Sequence, residues 1–319
     1  VSLVRRPGLT VDLRARRVLR HLAAAAPFEL DQFRACLQRH SGRPVHLIPA
    51  SLPAGSPSGV CCRTASADYL YYEGQTSPFH QAHILVCLAA HVIVDGEPQP
   101  RVDPRLIPDV SPQLAELMLG AMDCTPVGDQ DAEAFAVRAL DRAGVLACPP
   151  SVARWFLQQL GPLHAALLQA VPEAARHTEY LAPGPARVRL HRRVVEIRDA
   201  ALALRPYRTQ RAAADAAAIA RAAGLAGEPY AACVEAGALA AAIVARKIGP
   251  PRFSQPEDIR WRLPYEPRAD LRSEAGWLAR VSRAFTRLTP MPVQPETRWP
   301  HGSHDAGAPP ASEDGTGWR

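Results

Sequence analysis

Apolar residues recur at helical spacing over residues 11–25 (VDLRARRVLRHLAAA) and again over 28–40, so the chain is expected to open on two helices. GRPVHLIPA (42–50) and DYLYYEG (68–74) are short β-branched or aromatic runs bounded by Gly, Pro and Ser, and they predict strands with a turn between them. Ser77-Pro78 predicts entry into a helix over 79–94, with Pro78 in its first turn. Residues 95–112 hold five prolines and cannot form a regular helix; helices are expected at about 112–123 and 129–144.

Past Cys148-Pro149-Pro150 the pattern turns almost purely helical, with segments expected at 151–171, 186–205, 207–224, 228–247 and 272–288. Leu190, Val194, Ile197, Ala201 and Leu204 alternate steps of four and three, an amphipathic stripe. Gly224 is placed to end its helix. From Pro290 onward Pro, Gly, Ser and Asp dominate, a composition that predicts disorder. The expected organisation is α+β: a first domain over 1–147 with a short sheet, a helical domain over 151–288, and a disordered tail over 289–319.

Composition narrows the picture. The 319 residues suit two modest domains, each able to bury a core. A net charge of +6 invites a nucleic-acid partner, yet Lys247 is the only lysine, and heavy Arg, Ala and Pro usage is what GC-rich coding produces. The Arg-rich helix over 187–211 mixes Arg189, Arg192, Arg193 and Arg198 with Glu196 and Asp199. Both signs together suit ion pairs on a solvated face, or a polar protein interface, better than a stripe tracking phosphates. The seven cysteines are odd in number, irregularly spaced and without a CxxC, which predicts reduced thiols and a cytoplasmic setting. The longest apolar runs, near 84–94 and 236–245, are too short to span a bilayer.

The chemistry-bearing segment is PFHQAHILVCLAAHVIVDG (78–96). A zinc-peptidase helix carries His-Glu-x-x-His, in which two His one turn apart bind the metal and the Glu is general base. Here the five positions read Cys87, Leu88, Ala89, Ala90 and His91. Leu88 cannot accept a proton from water, and Glu73 or Glu97 could substitute only by reaching in from elsewhere. His83, Cys87 and His91 still recur every four residues on one helix face.

With PFELDQFRACLQRHSGRPVHLIPASLPAGSPSGV (27–60) and ADYLYYEGQTSPFHQAHI (67–84), this helix resembles the ImmA/IrrE-like metallopeptidases in their actinobacterial form. The resemblance spans about 8–145 and rests on Asp68, Tyr69, Tyr71, Pro78, His80, Gln81, His83 and His91; Ala82, Cys87 and Leu88 depart from it. LAELMLGAMDCTPVGDQDAEAFAVRAL (114–140) looks like the family's later helix, which implies Glu133 as third metal ligand. Cys87, His91 and Glu133 would be a chemically acceptable zinc set. The alternative is that Cys87 fills a small apolar pocket and His91 is a hydrogen-bonded remnant.

LHAALLQAVPEA (163–174), RLHRRVVEIRDAALALRPY (189–207) and SEAGWLARVSRAF (273–285) resemble the soluble C-terminal domain of actinobacterial multi-spanning membrane proteins described as transporters, a domain of no known activity. The two resemblances together imply a catalytically inactive, peptidase-like regulatory protein without a cofactor. Its expected partner is a protein, either a regulator or a membrane protein of the related family. A residual zinc peptidase using Cys87, His91 and Glu133 is the alternative, and an Arg-rich nucleic-acid or membrane-surface binder the third reading.

Overall fold

Alternating buried and half-buried side chains place DYLYYE at the centre of a three-stranded sheet. The computed structural model describes residues 29–52, 57–63, 66–94, 126–175, 184–249 and 269–288. The helices expected at 11–25 and 112–123, the proline-rich 95–112 segment and the 289–319 tail lie outside them. Strands β1 (Val45–Ala50), β2 (Gly59–Arg63) and β3 (Asp68–Glu73) are ordered β1-β3-β2, with β3 parallel to β1 and antiparallel to β2. Leu70 stands opposite both Leu47 and Cys61. Helix α1 (Leu30–Ser41) buries Phe33, Cys36 and Leu37 beside β1.

Helix α2 (Pro78–Val94) lies on β2 and β3, and nearly all of its described side chains are buried. The contact is close at Gly59, where a Cβ would stand 2.7 Å from Ile84 Cγ2 and 2.9 Å from Leu88 Cδ1. A side chain at 59 would push helix and strand apart, so the glycine sets their spacing. Helix α3 (Pro126–Arg142) packs along α2 through Ala132, Phe135, Ala136, Ala139 and Leu140.

The helices that follow are α4 (Pro150–Ala170), α5 (Ala186–Ala203), α6 (Gln210–Ala222), α7 (Gly227–Ile248) and α8 (Leu271–Leu288). Leu190, Val194, Ile197 and Leu204 of the predicted stripe are fully buried and Ala201 partly so. Helix α4 packs on α5 and α8, and α7 on α6 and α8. Trp277 of α8 is completely enclosed, a burial worth roughly 2–3 kcal/mol. Gly237 lets α7 approach α6, since a Cβ there would meet Ala216 Cβ at 2.4 Å.

The helix expected at 207–224 starts later. Arg205–Tyr207 form a 3₁₀ turn after α5, and Thr209 caps α6 by accepting the Ala212 N–H at 3.2 Å. The chain needs this break to turn α6 back onto α7. Among the described residues, no helix is long and apolar enough to cross a membrane. One contiguous apolar core runs from Phe33 to Phe285, so both predicted halves contribute to it. At their joint Leu271 donates its N–H to the Val145 carbonyl at 2.9 Å, and Arg187 grips Asp141 at 2.7 and 3.0 Å.

Candidate functional site

Ser77 Oγ accepts the His80 N–H at 3.3 Å and so starts α2. From there the helix divides by face. Ile84 and Leu88 turn towards Gly59 and the sheet. His80 and His83 lie about one turn apart with parallel rings 6.1 Å between centroids, and Cys87 Sγ lies 3.6 Å from His83 Nε2.

Helix α5 lies over this second face. His191 stands edge-on to Phe79 at 5.9 Å and to His83 at 5.0 Å. Two turns further on, Asp199 Oδ1 accepts the Ser58 hydroxyl at 3.1 Å and sits 3.2 Å from His80 Nε2. On the other side of the ring, Nδ1 lies 2.9 Å from the Thr76 hydroxyl, the direction of that bond following the tautomer. Beyond α5, Arg205 pairs with Glu73 Oε2 at 3.0 Å and donates to the Leu52 carbonyl. Glu73 is 2 % exposed and also accepts the N–H groups of Leu52 at 3.0 Å and Gln75 at 2.7 Å. Its charge is therefore well satisfied although it is buried.

Behind this seam, a second tier of buried pairs fixes α5 to its own half. Arg198 Nε meets Glu274 at 2.5 Å, Arg208 meets Glu235 at 3.1 Å, and His164 meets Glu196 at 2.6 Å. The polar side of α5, expected to be solvated, is buried at Glu196 and Arg198 because α4 and α8 pack against that helix. Burial pushes the His191 imidazole down to about 3, helped by the neighbouring charges of His80 and Arg192. His191 is thus neutral at physiological pH, an uncharged ring wedged between two helices.

Of the residues expected to bind metal, Cys87 is half-buried and in contact with His83. Glu133 is buried on α3, the helix that packs along α2. His91 lies on α2, but its side chain is outside the described residues. Among the described residues, no three His, Cys, Asp or Glu side chains converge to hold a metal ion. Leu88 is 6 % exposed and packs over Gly59. Leu88 carries no group that could accept a proton.

The segment contributing α4 to α8 can now be placed. Residues 151–287 match the model of DUF6545, a family of unknown function. Neither the curated proteins nor the solved structures contain a match to the chain. The resemblance expected for the second half is therefore met at the level of a domain family of unknown function. Within that segment, the stretch from Leu190 to Tyr207 supplies the ring, carboxylate and guanidinium contacts to Phe79, His83, His80 and Glu73.

His191, Arg205, Thr76 and Ser58 did not stand out in the sequence, since no motif contains them as a set. Two of the segments that carry the resemblances, 67–84 and 189–207, hold His80, His83, His191 and Asp199. They meet each other.

Proposed function

We propose that this chain is a catalytically silent relative of the ImmA/IrrE-like metallopeptidases, joined to its DUF6545 segment and acting in the cytoplasm by binding another protein. The observation that carries the reading is the state of α2. Leu88 replaces the base and is packed into the apolar contact with Gly59, while the His80–His83–Cys87 face is engaged by α5. A helix retained for packing but stripped of its base is what a binding-only descendant of a peptidase needs.

The partner is expected to be a regulator, or a membrane protein bearing the related helical domain. A nucleic-acid partner is disfavoured because Arg198, Arg205 and Arg208 are each engaged with a carboxylate inside the fold. Residual zinc binding by Cys87, His91 and Glu133 is supported only by the packing of α3 along α2. Metal analysis of the purified chain separates the two readings. The expected result is substoichiometric zinc and no peptide cleavage; a full equivalent of zinc lost on Cys87→Ala would refute the silent-site reading.

A further inference from the structure

Helix α5 covers the face of α2 that carries His80 and His83, leaving them 1 % and 7 % exposed. Cys87, beside His83, is half-buried on the same face. That face is therefore closed to any partner while α5 stays in place.

The cover is polar along its length. At its centre stands His191, buried, with neither ring nitrogen hydrogen-bonded among the described residues. A buried imidazole without a partner weakens the contact, where an aliphatic side chain of similar size would strengthen it. The other links across the seam are polar pairs: Arg187 with Asp141, Asp199 with Ser58 and His80, and Arg205 with Glu73. By contrast, α5 is fixed to its own half by packing along α4 and by the buried Arg198–Glu274 pair. When the two helices part, α5 leaves with the second half, and His80, His83 and Cys87 are uncovered together. A polar contact between parts of one chain permits such motion, which a large apolar contact would suppress.

We infer that α5 is an autoinhibitory cover, occupying in cis the face of α2 that a protein partner takes when a minor, open state of the folded chain exposes it. The identity of the occupant that replaces α5 rests on the binding reading proposed above; the opening itself does not.

Chemical footprinting of the full chain at neutral pH, read by peptide mass mapping, tests the cover from both sides. Diethyl pyrocarbonate modifies neutral imidazoles and reports His191 on α5, whereas N-ethylmaleimide reports Cys87 on α2. Cys36 and Cys233, buried in the first and second half, report global unfolding. Asp199→Ala removes the links to Ser58 and His80. It should speed modification of His191 and Cys87 together by about tenfold, with Cys36 and Cys233 unchanged. His191→Leu removes the stranded imidazole and should slow modification of Cys87 by about the same factor. If Asp199→Ala fails to fold, His191→Leu decides. The inference is overturned if His191 and Cys87 react only in step with Cys36 and Cys233, or if the variants leave their rates unchanged. An opening confirmed in a chain that binds no protein would uphold the cover and remove the binding reading alone.

Discussion

At the scale of single residues, the Arg205–Glu73 pair joins the two halves with both side chains largely buried, which makes it sensitive to the loss of either partner. Arg205→Ala leaves Glu73 buried without its cation and should cost about 3–5 kcal/mol in urea unfolding. Replacing both partners with apolar residues should cost far less, because no charge is then stranded. His191 predicts a pH dependence whose sign follows from its depressed pKa. The unfolded chain takes up the proton near 6.5 and the folded one only near 3. Its contribution to stability is therefore complete above about pH 6.5 and is lost as the pH falls towards 3, by at most about 1.4 kcal/mol per pH unit. His191→Phe keeps an aromatic ring beside Phe79 and should flatten the stability profile across that window, as measured by unfolding midpoints at a series of pH values.

Among the elements, what could be read in advance was whatever the local pattern determines. The stripe from Leu190 to Leu204 announces α5, and the apolar runs announce β1, β3 and α2, since periodicity reports burial within one element. The fate of the polar face of α5 was hidden. Glu196 and Arg198 look like surface residues until partners arrive, and the partner of Arg198 lies 76 residues away. Likewise the site chemistry was partly legible: the loss of the base at Leu88 is visible, but its packing over Gly59 is not. Gly59→Val should therefore destabilise by about 1–3 kcal/mol, and Leu88→Ala in the same chain should recover part of the loss by making room. A double-mutant cycle measures the coupling; additive costs would mean that α2 and β2 are not in register at this point.

At the scale of the whole molecule, the expected division near Cys148–Ser151 meets a core to which both sides contribute. The Arg205–Glu73, Arg187–Asp141 and Ser58–Asp199 contacts, with the Leu271–Val145 backbone bond, all link the two sides. They predict one cooperative unfolding transition for the chain, followed by circular dichroism and tryptophan fluorescence together. Two transitions, or early proteolytic release of a stable 151–288 fragment, would show instead that the halves fold independently.

The silent-site reading makes its sharpest claim about positions 87 and 88, so restoring both is the most direct test. Cys87→His with Leu88→Glu supplies the missing imidazole and carboxylate together. The new Glu is buried where Leu88 now packs, so the metal-free double mutant should lose roughly 1–3 kcal/mol. Zinc binding only the folded state should then raise its melting temperature. The decisive measurement is the zinc-induced shift in melting temperature of the double mutant beside that of the parent chain. The account predicts a clear rise for the mutant and none for the parent; an equal rise in the parent would mean that Cys87, His91 and Glu133 already hold metal, contradicting it.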